Sequence, residues 1–236
     1  MVSIANAKPI SGLTQTLTRA NTRKLAQNVG LKLATAMNGW EQAYAATLAC
    51  SQLLMLIEYG TFNMQSAIGN GVVTKTDDST TNMAEVTGAT ANLGNASGVV
   101  TNGNDYNVVT YRGEENLWGN IWTWLDGMNN YSPNTREVGD NSILYVADHG
   151  FADDTASSPY EETGIFPCYS AGSYINAFGY SETYDWLFVA AEVGGNSSLP
   201  VGDYSYNSQP GWRVAQSGGQ WRSEEHTSEL QSRSDL

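Results

Sequence analysis

The chain has 236 residues, of which 41% are hydrophobic and 15% are charged. This length supports one sizeable hydrophobic core, or one domain with an extension. A formal net charge of −13 disfavours binding to nucleic-acid phosphates or to an anionic membrane surface. No apolar run approaches the length of a membrane span. We therefore expect neither nucleic-acid partners nor membrane insertion.

The N-terminal part of the chain predicts a connecting segment followed by a helix. Residues 1–38 are polar and are interpreted as the connecting segment, although residues 19–33 carry a weak helical pattern. Residues 41–59 predict a helix that is rich in Ala and Leu and ends before Gly60. Apolar residues cover most of its circumference, which predicts that it is largely buried. Glu58 is then expected near the core, hydrogen-bonded to backbone or to an aromatic hydroxyl.

A tryptophan-rich segment, residues 111–130 (YRGEENLWGNIWTWLDGMNN), predicts a second helix. At about 100° per residue, its apolar side chains share an arc roughly 160° wide. The residues on this arc are Leu117, Trp118, Ile121, Trp122, Trp124 and Leu125. Gly113 and Gly127 are predicted as the N-cap and the C-cap. The arc favours a core role for the three tryptophans, and an aromatic ligand platform is the alternative.

Short strands are predicted after this segment, whereas residues 61–107, rich in Gly, Asn, Thr and Ser, predict loops. The β-prone runs lie at residues 142–147, 186–191, 203–206 and 212–215. Two early helices followed by several short antiparallel strands predict an α+β domain.

The titratable residues offer few candidates for chemistry. His149, in the sequence ADHGFADD, lies near Asp153 and Asp154 and is compatible with a divalent-cation site. The spacing fits no recognised calcium loop and favours a solvated loop instead. Glu114 and Glu115 would diverge by about 100° on a helix, so they could not easily flank one bond. No established catalytic motif occurs, and the sequence predicts no catalytic residue, no cofactor and no metal ion.

The last residues of the chain are interpreted as coming from outside the gene. Residues 222–232 (RSEEHTSELQS) are the in-frame translation of a common short-read sequencing adapter. We therefore exclude residues 222–236 from the expected fold as translated adapter. The natural sequence is expected to continue beyond Trp221, and its source is expected to be assembled metagenomic reads. The net charge of the remaining residues is still strongly negative.

Five segments, taken in order, resemble one family. They are residues 58–73 (EYGTFNMQSAIGNGVV), 87–98 (TGATANLGNASG), 111–129 (YRGEENLWGNIWTWLDGMN), 192–204 (EVGGNSSLPVGDY) and 211–221 (GWRVAQSGGQW). The series resembles phage and prophage tail-fibre proteins with a C-type-lectin fold. The subtype is that of formylglycine-generating enzymes and of variable proteins of diversity-generating retroelements. The resemblance implies a C-type-lectin-like domain over residues 39–221, truncated at its C-terminus, with two helices and a small, mainly antiparallel sheet.

The resemblance also implies a function and a place. It implies a non-catalytic receptor-binding or adhesion module in a virion tail, made in the host cytoplasm. The implied partners are a host cell-surface receptor, glycan or protein, and other virion tail proteins, and a homo-oligomer is compatible with this. Trp212, Arg213 and Trp221 match the approach to the ligand-binding surface of such proteins. The ligand-contacting residues of the family lie mostly after this motif, so that surface itself is expected to lie beyond Trp221. A structural ion-pair role for Arg213 is the equal alternative.

Two other functions stay open at this point. A formylglycine-generating-like oxidising enzyme would need reactive cysteines late in the domain, and the only cysteines are Cys50 and Cys168. Cys50 lies in the first predicted helix and Cys168 in a predicted loop. Free buried thiols are favoured for both residues, with a disulfide as the alternative. The third function is that of a purely structural virion protein.

Overall fold

The computed structural model describes residues 5–9, 18–32, 39–75, 84–133 and 142–219. Within these ranges the chain forms three α-helices and ten β-strands. The strands pair antiparallel in three small sheets. Mixed helix and antiparallel sheet confirm the predicted α+β class. In the same ranges, the helices are too short or too polar to cross a membrane.

The helices lie in the first third of the chain. They are α1 (Arg19–Lys32), α2 (Ala45–Tyr59) and α3 (Met64–Ala67). Helix α2 confirms the helix predicted over residues 41–59, although it begins later than predicted. It ends at Gly60, which has a φ of +64° and donates its N–H to the Leu56 carbonyl at 2.9 Å. The weak helical pattern at residues 19–33 corresponds to α1.

Helix α2 is only partly buried, so the prediction of a largely buried helix is wrong. Ala45, Ala49 and Met55 face the core, but the Ile57 side chain is 79% exposed. The helix lies at the surface and packs one side on the sheets, so its apolar outer side remains in solvent. The hydrogen bond predicted for Glu58 is confirmed, because its carboxylate accepts the tyrosine hydroxyl of residue 111 at 3.0 Å. Its predicted position near the core is wrong, since the side chain is exposed.

The strands fall into three sheets. In chain order they are β1 (Gly98–Thr101), β2 (Asn107–Tyr111), β3 (Glu114–Glu115), β4 (Thr123–Ser132), β5 (Ile143–Val146), β6 (Glu161–Glu162), β7 (Ser170–Phe178), β8 (Ala190–Val193), β9 (Tyr204–Asn207) and β10 (Gly211–Ser217). The sheets have the orders β1-β2-β3, β10-β4-β5-β6 and β8-β7-β9. Strands β5, β9 and β10 confirm three of the predicted runs. The run at residues 186–191 only overlaps β8, and the predicted loop at residues 61–107 contains α3 and β1.

The helix predicted over residues 111–130 is wrong, because this segment forms β3, an irregular turn and most of β4. The backbone φ is positive at Arg112, Gly113, Asn116, Gly119, Asn120 and Gly127. Left-handed residues interrupt a right-handed helix. A Cβ atom at Gly119 would lie 2.7 Å from the Val72 nitrogen, so the turn packs directly on another backbone segment. Gly127 lies at an irregularity within β4 rather than at a helix end.

The three tryptophans of this segment have different environments. Trp118 is 4% exposed and packs with Met55, Val109 and Tyr111. Its indole nitrogen donates to the Gly69 carbonyl at 2.8 Å. The predicted core role is therefore confirmed for Trp118, whereas the other two tryptophans, at positions 122 and 124, are half-buried.

The main core lies between the four-stranded sheet, the start of α2 and the segment that precedes β8. Its buried members are Ala45, Leu125, Met128, Leu144, Val146, Ile165, Leu187, Val189 and Ala215. Leu144 and Val146 alternate along β5, so one face of the four-stranded sheet is the core face. The other face of this sheet is the outer face.

Helix α1 is attached to β4 by a buried group of charges, which we call the arginine cluster: Arg19, Arg23, Asp126 and Asp153. Arg19 donates to the carbonyls of residues 125 and 128 at 2.9 and 2.7 Å. Arg23 binds both carboxylate oxygens of Asp126, at 2.9 and 2.5 Å. Asp153 accepts hydrogen bonds from both arginines. The segment predicted as polar and connecting thus inserts two cations into the domain.

Candidate functional site

Trp212, one of the predicted ligand-binding residues, lies in β10 beside two tyrosines. Its ring centroid is 5.0 Å from that of Tyr131 in β4 and 5.8 Å from that of Tyr145 in β5. The ring planes are inclined by 57° and 46°, so the group offers both ring faces and ring edges. We call these three residues the aromatic cluster.

Strand register places the aromatic cluster on the outer face of the four-stranded sheet. Trp212 is opposite Tyr131, which is opposite Ile143 in β5. Tyr145 lies two residues further along β5, on the same face, and is opposite Glu162 in β6. The cluster and the Glu162 carboxylate therefore share one surface.

This surface is accessible and has a polar edge. Tyr131 is 36% exposed, Trp212 and Tyr145 are half-buried, and Glu162 is exposed. Burial, the Glu162 charge and Tyr131 together raise the pKa of the Tyr145 hydroxyl. The hydroxyl therefore keeps its proton at neutral pH and can donate a hydrogen bond, beside a carboxylate that can accept one. Apolar ring faces and a donor–acceptor pair lie within one patch.

The structure does not bring Arg213 to this patch. Neighbouring residues of a strand point to opposite faces, so Arg213 points away from Trp212. Its Nη1 donates to the Trp212 carbonyl at 2.6 Å, and its Nε is buried without a hydrogen-bond partner in the described ranges. Burial lowers the pKa of Arg213, and the charge of Asp154 opposes this shift. The third predicted residue, Trp221, lies outside the described residues.

A small apolar cavity lies between α2, α3, the end of β7 and the segment before β8. Its volume is about 70 Å³. Three phenylalanine rings line it, with Phe178 and Phe188 in an edge-on contact at 5.6 Å and Phe62 5.3 Å from Phe178. Cavities that hold drug-sized ligands are several times larger, about 300–1,000 Å³. This cavity is therefore a packing feature rather than a site for a ligand of that size.

His149 lies in an open cleft of about 460 Å³ between α1 and the loop that follows β5. His149 and Asp148 are both exposed and contact each other. Asp153, which the sequence also offered for a cation, binds the two arginines of the arginine cluster instead. In the described ranges, no three Asp, Glu, His or Cys side chains are placed to hold a metal ion. The cleft carries charges of both signs and indicates no ligand class.

The remaining candidates for chemistry have structural surroundings. Glu115 accepts the N–H of Gly88 at 2.7 Å and both the N–H and the hydroxyl of Thr90, which ties a loop to β3. Glu114 accepts the hydroxyl of Ser51 at 2.9 Å. The two adjacent glutamates thus bind different segments and do not face one bond.

Both cysteines are free, as favoured from the sequence, and no disulfide joins them. Cys168 is buried, whereas Cys50 is exposed on α2, so the prediction of burial is right for only one of them. Burial raises the pKa of the Cys168 thiol to about 11. At neutral pH this group is a thiol and a weak nucleophile.

Sequence reasoning missed three members of the patch: Tyr131, Tyr145 and Glu162. Tyr131 follows directly after the segment assigned to a helix, which hid its position on a strand. Tyr145 lies in the run ILYV, which is apolar throughout, so only the burial pattern of the folded strand shows that Tyr145 points outward and Leu144 inward. Comparison of the chain with protein-family models, with curated proteins and with solved structures gives no match.

Proposed function

We propose that the chain is a receptor-binding or adhesion module of a phage or prophage tail fibre, and that it binds a host-surface glycan without catalysis. The observation that carries the proposal is the aromatic cluster on the outer face of the four-stranded sheet. The proposed C-type-lectin-type scaffold and the proposed location in a virion tail rest on the resemblance of five ordered segments to tail-fibre proteins. The same resemblance supplies other tail proteins as assembly partners.

The chemistry of the patch suits a sugar ring. The C–H faces of a pyranose are apolar and carry partial positive charge, which complements the negative face of an aromatic ring. Sugar hydroxyls could then donate to Glu162 and accept from Tyr145, which fixes the orientation of the ring. Trp and Tyr are also the residues that most often dominate the energy of binding surfaces.

The surroundings of the cysteines disfavour the enzymatic alternative. An oxidising enzyme of the formylglycine-generating type would need a reactive thiolate, and the pKa of about 11 keeps Cys168 protonated. Cys50 is exposed on α2 and does not pair with it. A non-catalytic module needs neither thiol.

A purely structural virion protein would fold in the same way but bind no host component, so a binding screen separates the two functions. The folded 236-residue chain would be applied to a glycan array and to intact cells from a panel of bacterial hosts. Saturable binding to at least one glycan class, inhibited by the free sugar, is expected. A folded chain that binds no glycan and no cell would favour the structural alternative and reject the proposal.

A further inference from the structure

Lys75 and Glu85 form a buried ion pair beneath the turn that joins β1 to β2. The two residues are 5% and 4% exposed. The Lys75 ammonium also lies 4.6 Å from the centroid of the Tyr106 ring. A lysine held away from water beside a carboxylate can become a nucleophile if the carboxylate takes its proton.

A single carboxylate joins this amine to a side-chain amide. Lys75 Nζ binds one oxygen of Glu85, Oε1. Asn102 Nδ2 donates to the other oxygen, Oε2, at 2.7 Å, and Asn104 Nδ2 donates to the same atom at 2.8 Å. Glu85 therefore touches both a potential nucleophile and a potential leaving group.

The Asn102 amide is also polarised. Its Oδ1 accepts the backbone N–H groups of Asn104 and Tyr106, each at 3.0 Å. Two backbone donors on one carbonyl oxygen stabilise the negative charge that develops there when a nucleophile adds to the carbon. Of the two amides at Glu85, Asn102 is thus the one prepared for attack.

We propose that Lys75 and Asn102 become joined by an intramolecular isopeptide bond, with Glu85 transferring the protons. Glu85 takes one proton from the Lys75 ammonium, and the neutral amine forms a bond to Cγ of Asn102. Glu85 passes that proton to Nδ2 and then takes a second proton from the attacking nitrogen. The Cγ–Nδ2 bond breaks, ammonia leaves, and no group is oxidised or reduced.

Burial and proximity both favour this reaction. Burial alone would raise the pKa of Glu85, but the hydrogen bonds from Lys75, Asn104 and Asn102 and the Lys75 charge lower it, so the resting state is an ion pair. A dry environment reduces the cost of neutralising that pair by proton transfer. The fold holds the groups together, which removes the entropic barrier of a bimolecular step. Loss of ammonia then makes the bond permanent.

The intact mass of the folded 236-residue chain tests the proposal. We expect a mass lower than that of the sequence by one ammonia molecule. After tryptic digestion, we expect a branched peptide that joins Lys75 to Asn102 and no cleavage after Lys75. An unmodified mass, or a branch at Asn104 instead of Asn102, would overturn the assignment.

Asn102 precedes Gly103, and such a pair can lose the same ammonia by closing a succinimide without any lysine. Lys75→Met separates the two reactions, because it restores the full mass only if the isopeptide bond forms. Asn104→Ser is the matched control and should keep the mass loss, whereas Asn102→Ser should abolish it. A mass loss that persists in Lys75→Met would reject the proposal. The peptide map of the unmutated chain decides the question even if a variant does not fold.

Discussion

The arginine cluster and the aromatic cluster both lie against β4, but they have opposite character. The arginine cluster buries charged groups, with Arg19 at 2% and Asp126 at 0% exposure, and only its Asp153 is partly exposed. The aromatic cluster leaves large apolar rings half-exposed, with Tyr131 at 36%. In this part of the molecule, charged residues hold the structure together, while apolar residues face outward and remain accessible to a ligand.

The two clusters differ because the charged groups find their hydrogen-bond partners inside the protein, whereas part of the aromatic surface has no protein contact within the described residues. Arg19 donates to two backbone carbonyls, to the Asn129 side chain at 2.5 Å and to Asp153, so its hydrogen-bonding capacity is used within the protein. The outward ring surface of Trp212 contacts water instead, and covering it would release that water. A conspicuous charge cluster is therefore a poor guide to the binding surface of this protein.

The largest expected effect is from Asp126→Asn. It removes the carboxylate that binds Arg23 through both oxygens and leaves Asp153 to compensate both arginines. Removing one member of a buried charge pair typically costs about 3–5 kcal/mol. We expect a loss of this size in the free energy of unfolding, measured by urea denaturation. Asp185→Asn makes the same chemical change at an exposed position and should be neutral. Equal stability of the two variants would contradict a structural role for the arginine cluster.

The pH dependence of stability should show an intermediate effect at Asp153. Burial alone would raise the pKa of Asp153, but the charges and hydrogen bonds of Arg19 and Arg23 hold it below its usual value. Its contribution to stability is therefore complete above the unfolded-state pKa of about 3.9 and is lost as the pH falls toward the folded-state pKa.

The measurement for this prediction is urea denaturation of the wild type and of Asp153→Asn between neutral pH and the acid range. The wild type should be more stable at pH 7, and the difference should shrink below about pH 4. A difference that stays constant down to the acid transition would show that the Asp153 charge has no part in stability.

The smallest effect is expected for Arg112→Ala. Arg112 pairs with Glu58 at 3.0 Å, but the two side chains are 54% and 38% exposed, so water screens the interaction. We expect a melting temperature equal to that of the wild type within error. A destabilisation similar to that of Asp126→Asn would show that burial is not what gives the arginine cluster its importance.

The predictable parts of the fold are those with local signals. Helix α2 has a long apolar pattern and a terminating Gly60, and β5 is a short run of β-branched, aromatic and aliphatic residues. Strand β4 was missed because one of its partners, β10, lies far away in the sequence, and because the three tryptophans in and just before β4 fall on one arc of a helical wheel. The glycines at positions 119 and 127 were the sequence signal against a helix. Both take a positive φ and lie next to other backbone segments in the structure.

The functional and charged sites were also predictable only where the signal is local in the sequence. Trp212 was found through a motif, but its neighbours depend on strand register, which the sequence does not specify for distant strands. Arg19 and Arg23 are four residues apart and so share one face of α1. Their partners lie more than 100 residues away, and nothing local marks them. Likewise, the turn that polarises Asn102 is local, whereas Lys75 and Glu85 reach it only in the folded chain.

Whether the aromatic cluster binds the ligand is tested directly by the affinity of Trp212→Ala for the glycan that the wild type binds, measured together with the stability of the variant. Trp40→Ala is the matched control, because Trp40 is 37% exposed and lies outside the aromatic cluster. We predict that Trp212→Ala loses affinity by about tenfold or more while it still unfolds cooperatively, and that Trp40→Ala binds like the wild type. If Trp212→Ala, once folded, binds as tightly as the wild type, the aromatic cluster is not the binding surface.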